Sequence, residues 1–168
     1  MFNVPVIILK NLVILPKQEI KLELNNIVSE KAIKEASLNY KNEILVIAPT
    51  DSKEEDPSVD DLPKVGVIAH IRSKLEVEGG IRVKIQGVKR VAINRYYGGH
   101  DDILFSEAMY IDIPSLTEED GNAILRKLID VLNKYIEKSN SASNDILAFV
   151  SNSKDLNRVT DALSLIHI

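Results

Sequence analysis

Apolar residues recur mostly at every second position up to Pro114 and at every third or fourth beyond it. A period of two belongs to strands with one buried face, and a period near 3.6 to amphipathic helices. The pattern predicts an α+β chain, strand-rich over 1–113 and helical over 114–168. Val4–Leu9 and Leu12–Leu15 read as short strands around Lys10-Asn11, the second ended by Pro16. Ile20, Leu22 and Leu24 alternate with Lys21 and Glu23, as in a half-buried strand. Ser29 reads as an N-cap, with Glu30 facing the positive helix end and Ala32, Ile33, Ala36 and Tyr40 on one helical face. Ile44–Ala48 is an unbroken apolar run stopped by Pro49, which suits a strand buried on both faces. Residues 51–62 form a polar loop, with Pro57 inside it and Pro63 just beyond.

The most regular alternation follows. Val65, Val67, Ala69, Ile71, Leu75 and Val77 share one parity; His70, Arg72, Lys74 and Glu76 share the other. Matching like faces across Gly79-Gly80 selects a three-residue loop, Glu78-Gly79-Gly80, which pairs Val77 with Ile81, Leu75 with Val83 and Ser73 with Ile85. Gly80 then takes the left-handed position. Val88, Val91 and Ile93 lead into another strand segment, and 103–113 supplies the last. Several strands with one inserted helix imply a small mixed barrel or sandwich with open edges. Beyond Pro114, Thr117 caps a helix whose apolar side is Ile124, Leu125, Leu128, Val131, Leu132, Tyr135 and Ile136. Residues 139–144 read as a linker, and Ile146–Val150 starts a short helix. Leu156, Val159, Leu163 and Ile166 mark a third, on which the chain ends without a capping glycine or polar tail, as an amino-terminal piece of a longer protein would.

Composition narrows the chemistry. At 168 residues, 45% hydrophobic and 27% charged, the chain has enough apolar material for a packed core. A net charge of −4, from 21 basic and 25 acidic residues, argues against a uniformly basic nucleic-acid binder. The absence of cysteine excludes disulfides, thiolate metal sites and a thiol nucleophile. No apolar stretch approaches the ~18 residues of a membrane helix, and the start lacks the basic and cleavage features of a secretion signal, so a cytoplasmic domain is expected. The seven glycines build no phosphate loop, and His70, His100 and His167 are too scattered for a metal cluster. No catalytic, cofactor-binding or metal-ligating residue is assigned.

The segment Val4–Pro16 resembles the amino-terminal signature L-P-V-L-P-L-R-D-x-V-V-F-P of the Lon family of ATP-dependent proteases. Glu30-Lys31-Ala32-Ile33 is similar to that family's E-K-S-I, and Asp60–Ala69 to D-D-L-x-x-V-G-T-x-A. Gly80–Ile93 resembles G-T-x-K-V-L-V-E-G-x-x-R-A-x-I, and 155–161 its later helical segment. Ile8, Asn11, Lys17 and Gly79 depart from the pattern. The resemblance implies a small PUA-like pseudo-β-barrel with one inserted helix, followed by an α-helical bundle. It also implies substrate recognition and assembly, with unfolded or degron-bearing proteins as partners and self-association in a homohexamer. ATP, Mg and the serine–lysine dyad would belong to other modules of the parent. The matched Gly66, Gly80 and Gly87 suit close backbone approach or positive φ, and Arg90 is expected to pair with acids of the 51–61 loop.

Substrate contact is expected at Glu30, Lys31 and Lys34, on the exposed side of the first helix, where no core demand explains three charges; an ordinary solvated face would look the same. A second candidate is the polar face of the hairpin, Arg72, Lys74, Arg82 and Lys84. Between residues 70 and 95 the basic residues face only Glu76 and Glu78 in sequence. A stand-alone binding module without protease, or a PUA-like RNA binder using that face and Tyr96-Tyr97 for stacking, is the competing reading.

Overall fold

The computed structural model describes residues 1–10, 12–49, 59–112, 116–138, 144–153 and 155–166. They fall in two units, Met1–Asp112 and Ile113–Ile168. The first contains β1 (Phe2–Ile8), β2 (Glu19–Leu24), α1 (Ile27–Asn39), β3 (Glu43–Ile47), β4 (Val65–Val77), β5 (Gly80–Gly98) and β6 (Leu104–Tyr110), with 3₁₀ turns at Val59–Asp61 and His100–Asp102. The strand order is β2-β5-β4-β3-β1-β6, and β6 pairs back onto β5. Five strands therefore close into a ring, with β2 attached outside it on β5. The 19 residues of β5 are long enough to serve β2 and β4 with the first part and β6 with the second. The ladder skips one residue at Arg72 in β4 and at Val88 and Asn94 in β5, bulges that bend the strands toward closure.

Two apolar clusters follow from this closure. Val4, Leu45, Ile68, Val91 and Ala108 come one from each ring strand and fill its lumen with Val6, Ile47, Ile93 and Tyr96. Ile7, Ile44, Val46, Ala69, Val83 and Ile85 point the other way, where Ala32, Ile33 and Ala36 of α1 meet them. The run Ile44–Ile47 is unbroken because alternate residues serve different cores, all four at most 3% exposed. Each such buried side chain contributes roughly 1.5–3 kcal/mol.

Three local expectations are corrected. Leu12–Leu15 is not a strand: Ile14 and Leu15 are buried, but the segment pairs with no ladder. It crosses over Gly87, whose N–H donates to the Gln18 carbonyl while Lys17 N–H donates to the Gly87 carbonyl, both at 2.8 Å. A Cβ at Gly87 would stand 2.2 Å from the Leu15 carbonyl oxygen. Helix α1 starts earlier than Ser29, because Asn26 holds an extended backbone and its Oδ1 accepts from Val28 N–H at 2.7 Å.

The hairpin turn has two residues, Glu78-Gly79, pairing Val77 with Gly80, Leu75 with Arg82 and Lys74 with Val83. Gly79, at φ +82°, takes the left-handed position, not Gly80. The bulge at Arg72 restores like-face pairing below it, with Ile71 opposite Ile85. Leu75 is consequently 60% exposed. Of the 51–61 acids expected near Arg90, those at 51–58 lie outside the described residues.

In the second unit, α2 (Glu118–Lys138), α3 (Asn144–Asn152) and α4 (Leu156–Ile166) follow in order. Thr117 Oγ1 accepts from Asp120 N–H at 3.2 Å and donates to the Asp120 carboxylate at 2.6 Å, capping α2. Leu125, Val150 and Val159 are the buried centre, with Leu128, Ile129, Leu132, Leu156 and Leu163 around them. Ile124, Val131 and Tyr135, expected on the apolar side of α2, are exposed instead. Residues 139–143 and His167 lie outside the described residues.

Candidate functional site

The first helix and the hairpin meet on one side of the ring unit. Lys34 Nζ lies 3.0 Å from Glu76 Oε1 and 4.0 Å from Glu30 Oε2. The hydrogen bond that Lys34 donates to the Glu76 carboxylate is the main cause that raises its ammonium above the ordinary pKa. Lys74 stands opposite Val83 and Glu76 opposite Ile81, so both share the face turned toward α1. Glu30 and Lys31 are half-buried, not exposed as expected. Lys34, Glu30, Glu76 and Lys74 thus form a mixed-charge patch, and the first candidate group gains a member from the second.

The expected basic face divides at the bulge. Arg82 and Lys84 lie on the opposite surface from Lys74, together with Arg72, which hydrogen-bonds Gln86 Oε1 through Nε at 3.0 Å and through Nη2. That surface is not left positive. Strand β2 lies beside β5 and places Glu23 2.7 Å from Arg82 Nη2 and Glu19 2.7 Å from Lys84 Nζ. Arg95 lies 3.1 Å from Glu107, and Lys89 3.4 Å from Asp112. Asn94 donates to Glu107 at 2.9 Å, and this hydrogen bond is the largest cause holding that carboxyl below its ordinary value. The acids come from strands remote in sequence, which a local charge count cannot see.

The two adjacent tyrosines do not make a stacking platform. Tyr96 points into the lumen, where its hydroxyl donates to the Pro63 carbonyl at 2.6 Å and burial pushes its pKa up. Tyr97 stacks on Phe105, ring centroids 5.9 Å apart. His70 is half-buried in β4, with Nδ1 unpartnered in the described structure. His100 sits 3.4 Å from Glu35 against the Phe105 ring. Among the described residues no three His, Asp or Glu side chains gather as a metal site, and no helix is long and apolar enough to cross a membrane.

Sequence reasoning missed the exposed apolar residues around this side. Ile27, Val28 and Leu38 of α1 are exposed there, while Leu75 of β4 is exposed on the opposite surface, beside Arg82. For Ile27 the signal was available, since an N-cap at Asn26 puts it in the first helical turn. A further cleft runs along Phe2, Tyr40, Lys41, Glu43 and Tyr110, with Phe2 and Tyr110 in ring contact at 4.9 Å.

Comparison with known proteins covers nearly the whole chain. The family model described as the ATP-dependent protease La (LON) substrate-binding domain matches residues 3–167. The Lon protease of Lachnoclostridium phytofermentans is 31% identical over 176 aligned residues, which take in 99% of this chain and 20% of that protein. The Lon protease of Escherichia coli K12 is 24% identical, covering 96% of this chain and again 20% of the relative. The chain thus spans about a fifth of the length of the curated relatives it matches. Among solved structures, the N-terminal domain of Mycobacterium avium complex Lon protease superposes with a TM-score of 0.68 at 21% identity, covering 96% of this chain and 81% of that one. A Lon N-terminal domain protein from Xanthomonas campestris gives 0.57 at 14% identity, covering 98% of each.

Proposed function

Because this chain belongs to the family of Lon substrate-binding domains, we propose that it captures unfolded or degron-bearing polypeptides for an ATP-dependent serine protease. The observation that carries this reading is the match of the substrate-binding family model to residues 3–167. In the parent, ATP and Mg would act in an ATPase module and a serine–lysine dyad would cut the peptide bond. The strand ring is the PUA-like pseudo-barrel of that family, residues 1–113, and 114–168 is its helical bundle. The parent works in the cytoplasm as a homohexamer, where six weak sites on one ring act together.

The surface chemistry supports capture of a polypeptide. Unfolded chains offer apolar side chains and unpaired backbone, and exposed apolar residues beside mixed charge suit both. Lys34 and Lys74 with Glu30 and Lys31 form one proposed contact region, bordered by Ile27 and Val28. Arg72, Arg82 and Lys84 form another on the opposite surface, with their charge largely matched by β2. Equilibrium binding of the 168-residue chain to one model protein, permanently denatured and native, tests the reading. Clear preference for the denatured form is expected, and equal binding to both would refute it.

A further inference from the structure

Ring closure leaves β2 in an unusual position. Among the described residues it pairs with β5 alone, so its far edge carries N–H and C=O groups with no strand beside them. Along its six residues Ile20, Leu22 and Leu24 are half-buried against the helix-side core, while Glu19, Lys21 and Glu23 are exposed on the other face. The far edge of β4 beyond Ile71 is also unpaired, but there the helix-side positions are the charged Lys74 and Glu76, and the exposed Leu75 of the other face stands beside Arg82. Of these two edges, β2 alone combines free backbone with a row of half-covered apolar side chains.

Charge specifies what fits. Lys21 sits directly opposite Lys84, and Lys84 turns diagonally to Glu19 at 2.7 Å. Among the described residues no acid pairs with Lys21. Glu23 is held by Arg82 through both Nε at 3.2 Å and Nη2 at 2.7 Å. A second copy of β2 could meet this edge only with glutamates already committed, Glu19 to Lys84 and Glu23 to Arg82. An incoming chain must bring its own carboxylate.

Building on the capture of unfolded polypeptides proposed above, we infer that β2 is the docking edge. It adds an extended substrate segment as a further strand, with apolar residues over Ile20, Leu22 and Leu24 and an acidic residue opposite Lys21. Backbone pairing supplies sequence-tolerant affinity, and the carboxylate supplies preference.

The test uses the 168-residue chain, isotope-labelled, and a short peptide alternating valine with threonine around one central glutamate. Titration is expected to shift the amides of Glu19–Leu24. Two N-methylated forms, one methylated on the valines and one on the alternate residues, separate backbone pairing from apolar adhesion. Only one of the two sets turns toward β2, so one form is expected to lose about 10-fold or more and the other to keep its affinity. Lys21→Glu is expected to weaken the glutamate peptide about 2–5-fold and strengthen its lysine analogue similarly. That exchange is a signature which misfolding cannot produce. Equal behaviour of the two N-methylated forms, or no exchange of preference, overturns the docking edge. So does concentration-dependent pairing of two chains through β2 that excludes the peptide. If denatured protein still binds while the edge tests fail, capture stands and its site lies elsewhere; if neither binds, both readings fall.

Discussion

Gly79 and Gly80 stand side by side in the hairpin under different constraints. Gly79 has a φ of +82° with open space where a Cβ would go, whereas a Cβ on Gly80 would meet the Leu24 carbonyl oxygen at 2.3 Å. Gly79→Ala is therefore expected to cost about 1–2 kcal/mol through backbone conformation alone. Gly80→Ala should instead push β2 from β5, and amide exchange at the Leu24 end of β2 should speed up in that variant only. The sequence pointed to a glycine turn here but assigned it to Gly80, because matching like faces favours a three-residue loop unless the bulge at Arg72 is known. Tyr96 permits a test by pH. Its phenol is buried, donates to Pro63 and has its pKa raised above the ordinary 10.0, so the folded chain keeps a proton that the unfolded chain releases. Stability from this group is complete below pH 10 and is lost as pH rises beyond it. Tyr96→Phe should cost about 1–2 kcal/mol near neutrality. In chemical denaturation, the difference between wild type and variant should shrink above pH 10.

Among the elements, those whose burial follows simple alternation were legible, and those shaped by remote neighbours were not. β3 was readable as doubly buried because Ile44–Ile47 has no polar interruption, and the lumen and helix-side cores explain why it needs none. Leu12–Leu15 carries the same apolar signal, but its Ile14 and Leu15 are buried by docking over Gly87 without a ladder, and periodicity cannot separate those two cases. The hairpin register failed on the bulge at Arg72, one extra residue that moves Lys74 to the face opposite Arg82. Lys74 was thereby separated from Arg72, Arg82 and Lys84 and brought to the same side as Lys34. The start of α1 discriminates sequence from structure most simply. Asn26→Ala should destabilise by about 1 kcal/mol, whereas Ser29→Ala, inside the helix, should change stability by less than about 0.5 kcal/mol. Urea denaturation of the two variants measures both.

For the whole molecule, closure of five strands into a ring decides which surfaces remain for partners. It spends the edges of β1, β3 and β6 on each other and on neighbours, and leaves β2 outside. Pairing of β2 and β6 with β5 brings Glu19, Glu23 and Glu107 beside the cations of β5, so that a run which looks basic in sequence is matched in space. The membership of the Lon substrate-binding family was legible in motif blocks from Val4 to Asp161, whereas this cross-strand neutralisation was not, because it depends on pairings of high sequence separation.

Capture of the unfolded state has a quantitative consequence. If only the unfolded form of a substrate binds, its apparent Kd equals the intrinsic Kd divided by the unfolded fraction. The most direct measurement takes one small protein in a series of point variants of graded stability and determines the apparent Kd of the 168-residue chain for each. The expected result is a Kd that rises about tenfold for every ~1.4 kcal/mol of added substrate stability. A Kd that stays constant across the series would contradict recognition of unfolded polypeptide by this domain.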